Sequence, residues 1–150
     1  MAEVDDFLDQ VLPALLEADT TFHNGDVAPR MAIWTRNEPV TVFGAVMTKT
    51  GWREIEPAFE RLASRFSNCS SFEYEVIAAG ASGDLAYIAG IEHTTASVGG
   101  APSQAYELRV TTIFRRENGG WKVVHRHADP TPESGSANDQ LARFCEERPK

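Results

Sequence analysis

The feature that most constrains this chain is a change in the spacing of its apolar residues near Phe72. Before that point apolar side chains recur every three or four residues, and after it they alternate with polar ones. The first spacing is typical of helices with one buried face, and the second of strands with one buried face. The order of the two patterns predicts helices followed by a sheet, which is an α+β fold.

Three helices are predicted in the first half of the chain. The first runs over 4–22, and we expect Pro13 to kink or restart it, because proline removes a backbone hydrogen bond. The sequence Asn-Gly-Asp at 24–26 should end this helix, with the glycine in a left-handed conformation. The aspartate then caps a short second helix over 27–34, and the third helix spans 51–66.

A short strand is predicted over 39–44, and four longer strands follow the third helix in meander order, over 72–78, 85–95, 104–116 and 121–129. Asn118-Gly119 joins the last two, since this dipeptide accepts the positive φ angles of a tight hairpin turn. The predicted architecture is a curved antiparallel sheet, cone-shaped, packed against three N-terminal helices.

The composition favours one soluble domain. The chain has 150 residues, 42% of them hydrophobic, and a formal net charge of −8. An acidic surface repels nucleic acid and anionic lipid, so neither is an expected partner. The acidic N-terminus and the lack of an 18-residue apolar run predict neither a signal peptide nor a membrane span. With only two cysteines, Cys69 and Cys145, we expect a cytoplasmic protein with free thiols.

Several segments together resemble a known family. They are the helix end at 22–26, the short helix ending at Trp34, the strand at 40–44, the third helix, and the ending at 109–129. With these features the chain resembles the SnoaL-like branch of the nuclear transport factor 2-like superfamily, which includes the ketosteroid isomerases. The resemblance covers about residues 4–129. We therefore expect a domain over 1–129 and a flexible or loosely helical tail over 130–150.

The resemblance implies a cone whose sheet and helices enclose a pocket, and homodimers paired through the outer surface of the sheet. Relatives in this superfamily include isomerases, cyclases, dehydratases and hydrolases, as well as non-catalytic oligomerisation domains. Membership of such a superfamily indicates the fold more firmly than the chemistry. The candidate chemistry must therefore come from individual residues.

Two histidines in the last predicted strand are candidate catalytic residues. His125, His127 and Asp129 alternate, so they point to one face at spacings of about 7 Å. Lys122 and Arg126 lie on the other face of the same predicted strand, and their long cationic side chains prefer water. This predicts that the histidines face the interior of the cone.

A histidine pair at this spacing could transfer protons, bind an anion or chelate zinc or iron with Asp129 or Glu92 as a third ligand. The alternative is that one histidine is a structural core residue and Asp129 ends the strand. We predict proton transfer, with neither a metal nor a cofactor.

The preceding strand carries a polar row of Glu107, Arg109 and Thr111. If this row faces inward, Arg109 binds an anion or a carbonyl group and pairs with Glu92 or Glu107, because a buried guanidinium needs a partner. The alternative is that the row is exposed or contacts a second subunit. We favour the inward orientation, which places Tyr106 on the opposite side.

Glu92, in the predicted strand over 85–95, is predicted to face inward, because the residues on the same face of that strand are small or apolar. A carboxylate in an apolar pocket could have a raised pKa and act as a general base. The alternative is a structural salt bridge to Arg109. Trp34 is expected in the wall of the pocket, in contact with the ligand.

The predicted function is a small-molecule enzyme that performs cofactor-independent acid–base chemistry, such as isomerisation, cyclisation or dehydration, in an apolar pocket. His127, His125 and Glu92 are its candidate catalytic residues, and the candidate ligand-binding residues are Arg109, Glu107, Asp129 and Trp34. The alternative is a non-catalytic ligand-binding or dimerisation module of the same fold. A homodimer is expected in either case, because an exposed sheet face of this size would otherwise favour aggregation.

Overall fold

The computed structural model describes residues 2–44 and 47–132. In chain order its elements are α1 (Glu3–Phe22), α2 (Ala28–Ile33), β1 (Thr41–Gly44), β2 (Met47–Thr50), α3 (Trp52–Ala63), β3 (Phe66–Ser82), β4 (Leu85–Val98), β5 (Gln104–Glu117) and β6 (Gly120–Pro130). The α+β class is confirmed. The strand β2 was not predicted, and the predicted tail lies outside the described residues after Pro132.

The helices form where the apolar stripes predicted them. One face of α1 is buried through Phe7, Val11, Leu15 and Phe22. The helix continues through Pro13, so the expected restart there is wrong. Gly25 has a φ of 90°, as its position after a helix end predicts.

Six strands form one curved sheet in the order β2-β1-β6-β5-β4-β3. All neighbouring pairs are antiparallel except β1 and β6, which are parallel. The helices pack on one surface of the sheet, which we call the inner face; the opposite surface is the outer face. Asn118 and Gly119 have φ angles of 51° and 80°, which confirms the predicted hairpin turn between β5 and β6.

A β-bulge in β6 decides which side chains face inward. Val123 pairs with Phe114 and His125 pairs with Ile113, so Val124 is an extra residue without an opposite partner. Before the bulge, Val123 is buried on the inner face at 1% exposure. After the bulge the even-numbered residues of β6 face inward in place of the odd-numbered ones, because one inserted residue exchanges the two faces of a strand.

Candidate functional site

Polar and charged side chains meet on the inner face, between α1, α2 and the sheet. Most of them are buried among aromatic residues, and they form hydrogen-bonded pairs. We call this group the inner polar cluster; its members are Asp19, His23, Arg30, Glu92, Tyr106 and Arg126.

The sheet contributes an ion pair between Glu92 on β4 and Arg126 on β6. Both terminal nitrogens of Arg126 donate to the carboxylate, over 2.6 and 2.9 Å. The Glu92 side chain is 1% exposed and that of Arg126 is 12% exposed. Burial opposes ionisation of Glu92, but the adjacent guanidinium outweighs it and lowers the pKa of the carboxyl. Glu92 is therefore an ionised partner of Arg126 at neutral pH.

The helices contribute a second ion pair, between Asp19 on α1 and Arg30 on α2. The guanidinium of Arg30 also lies over the ring of Phe22, with its central carbon 3.7 Å from the ring centroid. Burial and the nearby Glu92 carboxylate raise the pKa of Asp19, while Arg30 opposes the shift. Because a guanidinium stays protonated, the Asp19 carboxylate balances its charge.

His23, at the end of α1, has a protonation state that its hydrogen bonds define. Its Nδ1 lies 2.7 Å from the backbone oxygen of Asp19, which can only accept, so Nδ1 carries the proton. Burial lowers the pKa of His23 to about 4, which keeps the ring neutral at pH 7. Its Nε2 therefore has a free lone pair and accepts from the hydroxyl of Tyr106 over 2.6 Å.

Aromatic side chains surround this histidine. The ring centroids of Phe66 and Phe72 lie 4.4 and 5.9 Å from that of His23. Burial raises the pKa of Tyr106 to about 12, so its phenol stays protonated. Tyr74 is protonated for the same reason, and its buried Oη interacts with Thr112 without the geometry of a hydrogen bond.

The inner polar cluster can move protons and stabilise charge. The Tyr106 hydroxyl already donates to a neutral imidazole. When the phenol oxygen receives a proton, the phenol can therefore pass its own proton on to His23. Arg126 places a positive charge on the same face of the sheet, held by Glu92. The tyrosine–histidine pair can relay a proton, and a guanidinium can stabilise a developing oxyanion.

The candidate histidines of β6 lie on the outer face, so their predicted inward orientation is wrong. Nδ1 of His125 lies 2.7 Å from Oγ1 of Thr41, and Phe43 packs its edge against both rings. Burial and the neighbouring His127 lower the pKa of His125. The prediction fails because the bulge at Val124 separates the histidines from the buried Val123.

Arg109 also lies on the outer face, against prediction. It forms a bidentate ion pair with Asp129, over 2.9 and 3.2 Å, and the two side chains are 52% and 46% exposed. The pair borders a surface groove of about 320 Å³ whose floor includes Ala89 and Thr111. The outward alternative for this polar row is the correct one, and Tyr106 points inward instead.

Glu107 is the third outward residue of this row. One of its carboxylate oxygens lies 2.8 Å from Nδ1 of His93, and Nε2 of the same ring lies 2.9 Å from Glu75. The hydrogen bond to Glu75, together with Glu107, raises the pKa of His93. This histidine therefore joins β3, β4 and β5 across the outer face.

Trp34 lies in the apolar core rather than beside the inner polar cluster. It is 3% exposed and packs edge-on against Phe59, with 4.9 Å between ring centroids. Of the predicted site residues, only Glu92 has the inward orientation expected for it. Its partner is Arg126 rather than Arg109.

Sequence reasoning missed most of the inner polar cluster, although one signal was present. Asp19 falls four residues after Leu15 on the apolar stripe of α1, so a helical projection places a carboxylate on the buried face. His23 follows four residues later on the same stripe. Arg126 carried no such signal, because only the bulge turns it inward.

Within residues 2–44 and 47–132, no group of three or more His, Cys, Asp or Glu side chains is arranged to hold a metal ion. In the same part of the chain, no helix is long and apolar enough to cross a membrane.

Comparison with known proteins defines the class of the chain. A family model for the SnoaL-like domain matches residues 10–131, and the chain belongs to this family. No curated protein matches the sequence significantly. Solved structures do match, in line with the nuclear transport factor 2-like fold that the sequence predicted.

Three of these structures indicate the range of proteins that share the fold. A proposed dehydratase of the nuclear transport factor 2-like family from Streptomyces avermitilis is 21% identical, with a TM-score of 0.67 over 85% of this chain and 97% of that one. A proposed calcium/calmodulin-dependent protein kinase type II association domain from Thiobacillus denitrificans is 18% identical, with a TM-score of 0.63 over 79% and 92%. An uncharacterised protein with a cystatin-like fold from Caulobacter vibrioides is 21% identical, with a TM-score of 0.64 over 92% and 99%. At these identities the likeness shows the fold alone.

Proposed function

We propose that this SnoaL-like domain binds a small organic molecule at the inner polar cluster and transfers protons on it without a cofactor. The observation that carries the proposal is the 2.6 Å hydrogen bond from Tyr106 to the unprotonated Nε2 of His23. This tyrosine–histidine pair is neutral and lies on the inner face with two buried ion pairs, away from the surface that keeps the protein in solution. Its arrangement suits a proton relay.

In the proposed reaction the substrate loses a proton next to a carbonyl group. The phenol oxygen of Tyr106 takes that proton while the phenol passes its own proton to Nε2 of His23. The products of this step are an enolate and an imidazolium, so charge is conserved. Arg126 stabilises the enolate oxygen, and the backbone oxygen of Asp19 and the carboxylate of Glu92 favour the buried imidazolium.

The reverse transfer completes the reaction. The proton returns to a different carbon in an isomerisation, or leaves with a hydroxyl group as water in a dehydration. Glu92, first considered as a base, is proposed to hold Arg126 in place, because both oxygens of its carboxylate already accept hydrogen bonds from the guanidinium. The structurally similar protein from Streptomyces avermitilis is described as a proposed dehydratase, which is consistent with this class of chemistry.

Hydrogen–deuterium exchange next to the carbonyl of simple ketones tests the proposal without a known substrate. A panel of ketones that contain an aromatic ring, including acetophenone and 2-tetralone, is incubated with the protein in D₂O and followed by NMR. We expect exchange above the buffer rate, and a decrease of about tenfold or more in Tyr106→Phe, in line with the usual contribution of a general acid–base group. His127→Gln is the matched control on the outer face and should keep the full rate. Exchange no faster than in buffer would contradict the proposed catalysis.

A second candidate function is favoured by the outer face. Ile77, Leu85 and Tyr87 are 62%, 57% and 44% exposed, and Phe43 is 39% exposed. An apolar sheet surface of this kind marks a protein interface more often than free surface. We propose that it joins two copies of the chain, and the alternative function is a non-catalytic dimerisation or ligand-binding module. The structurally similar protein from Thiobacillus denitrificans is described as a proposed association domain, which is consistent with that alternative.

A further inference from the structure

We infer that the free edge of β3 binds an extended segment of another protein, in which basic and apolar side chains alternate, as an added strand of the sheet. The backbone edge takes no part in the proposed reaction. β3 is the outermost strand of the sheet, and within residues 2–44 and 47–132 only β4 pairs with it. An unpaired edge presents backbone N–H and C=O groups that a further strand can use.

β3 is accessible along its whole length. None of its 17 residues is buried, whereas buried residues recur along β4. Its register with β4 is unbroken from Ser71 to Val76, and the register shifts on either side of this stretch. A bulge interrupts the line of backbone groups, so a straight strand can follow residues 71–76, over about 20 Å. We call these six residues the edge stretch.

A groove lies beside the edge stretch. Both ends of α1 are tied to β3, because the side chain of Asn24 accepts from the amide of Cys69 and that of Glu3 accepts from the amide of Gly83. A surface groove of about 500 Å³ involves residues between these two ties. It is lined by Leu16, Phe72, Glu73, Tyr74, Glu75 and His93. The groove provides room for the side chains of an added strand.

The two sides of the edge stretch differ in chemistry. Phe72 stacks on the ring of His23 and Tyr74 packs against the apolar core, so both point inward. Leu16 of α1, which is 47% exposed, extends this apolar side. The residues between them, Glu73 and Glu75, point outward. Because successive residues of a strand face opposite sides, an added strand would meet apolar and acidic neighbours in turn.

The acidic side of the edge stretch favours a basic segment. The Glu73 side chain is exposed, and no cation of the described residues lies at ion-pair distance from it. The Glu75 side chain is 52% exposed and bonds to His93. Opposite charges on neighbouring strands stabilise the pairing, so lysine or arginine fits opposite these carboxylates. The net charge of −8 attracts a basic segment from a longer distance.

The same charges disfavour a second copy of this chain on the edge. An antiparallel pairing of two edges centred on Tyr74 would place Glu73 of one copy opposite Glu75 of the other, on both sides of the centre. Like charges directly opposite each other destabilise a pair of strands. The expected occupant is therefore a segment of a different protein.

Two synthetic peptides of the same composition test the edge. One alternates lysine and valine over eight residues with blocked ends, and the other has four lysines followed by four valines. Binding to the full chain is measured by fluorescence anisotropy in about 0.15 M salt, which screens long-range attraction. We expect the alternating peptide to bind about tenfold or more tightly, because only its two kinds of side chain match the two sides of the edge.

Reversing the outward charges should weaken this binding. Glu73→Lys combined with Glu75→Lys is expected to lower the affinity for the alternating peptide about tenfold. Glu56→Lys combined with Glu60→Lys makes the same change of charge on α3, which contacts β1 and β2 near the other end of the sheet. This matched control should stay within about twofold of the unmodified chain. Glu73→Lys alone, expected to bind about threefold more weakly, keeps the test available if the double variant does not fold.

Backbone amide exchange shows where the peptide binds. NMR of the labelled protein should show slower exchange at alternate amides of residues 71–76 when the alternating peptide is bound. Binding without this protection, or no binding at all, would overturn the inference. Equal affinity for the two peptides, or equal losses in the two double variants, would overturn it in favour of non-specific attraction by charge. Protection that rises with protein concentration in the absence of peptide would overturn it in favour of a second copy on the edge.

Discussion

Glu92 and Arg126 form a bidentate ion pair across a strand that lies between them. Glu92 belongs to β4 and Arg126 to β6, and β5 separates the two in the sheet. The pair therefore passes over β5 on the inner face, where the small side chain of Val110 lies between the two strands. It links the strands of the sheet as well as the charges of the inner polar cluster.

This pair should contribute much more to stability than its counterpart on the outer face. Arg126→Met leaves the carboxylate of Glu92 buried without a partner, which costs about 3–5 kcal/mol. Arg109→Met breaks the half-exposed pair with Asp129, which is worth about 0–1 kcal/mol. The midpoints of urea unfolding give the two values. Equal losses from the two variants would show that the inner pair is not desolvated.

His23 should make the chain less stable in mild acid. Its pKa in the folded protein is about 4, below the ordinary 6.5, so the unfolded chain binds the proton more readily between these values. The stability contribution is complete above pH 6.5, declines as the pH falls towards 4, and is constant below that. The shift corresponds to about 3 kcal/mol.

Unfolding free energies measured between pH 4 and 7 test this, with His23→Gln as the reference. Other groups titrate in the same range, but they are present in both proteins. The difference between the two profiles should therefore contain the decline. Parallel profiles would mean that His23 keeps an ordinary pKa.

The hairpin between β5 and β6 should depend on the backbone freedom of Gly119. Its φ of 80° is a conformation that a β-branched residue adopts only with strain, and its missing Cβ has open space around it. Gly119→Val should thus destabilise the chain by about 1 kcal/mol or more through the backbone alone. Asn118→Gly is the control and should change stability much less, because asparagine and glycine both accept a φ of 51°. Thermal unfolding separates the two, and an unchanged melting temperature in Gly119→Val would count against the turn.

The outer face should form the contact between two copies. Light scattering at micromolar concentration is expected to give twice the 16.5 kDa of one chain. Ile77→Lys places a charge at the most exposed of the four apolar side chains of this surface, at 62%, and should produce monomers. Leu16→Lys changes a residue of α1 that is 47% exposed and should not. A mass of one chain for the unmodified protein would refute the dimer.

The sequence predicted every element of the fold except β2, because the others had local signals. The apolar stripe of α1, the alternation after Phe72 and the Asn118-Gly119 turn each depend on residues close together in the chain, and the structure confirms all three. The family resemblance added the order in which these elements pack. None of these signals depends on a contact between distant segments.

The candidate site was harder to predict because it depends on the face of each strand. One bulged residue, Val124, reverses the parity of β6 and turns Arg126 inward in place of His125 and His127. Rules of hydrophobic alternation assume an unbroken register, and nothing in the local sequence marks this bulge. The rule that long cations stay in water failed for the same residue, because Glu92 on a distant strand neutralises it.

The inner polar cluster and the outer histidines are rival sites, and one titration separates them. The histidine side chains of the labelled protein are observed by NMR while acetophenone is added. If the inner polar cluster is the functional site, the ring signals of His23 shift with the ligand and those of His127 stay in place. Saturable shifts at His127 with none at His23 would contradict the account and return the site to the outer face.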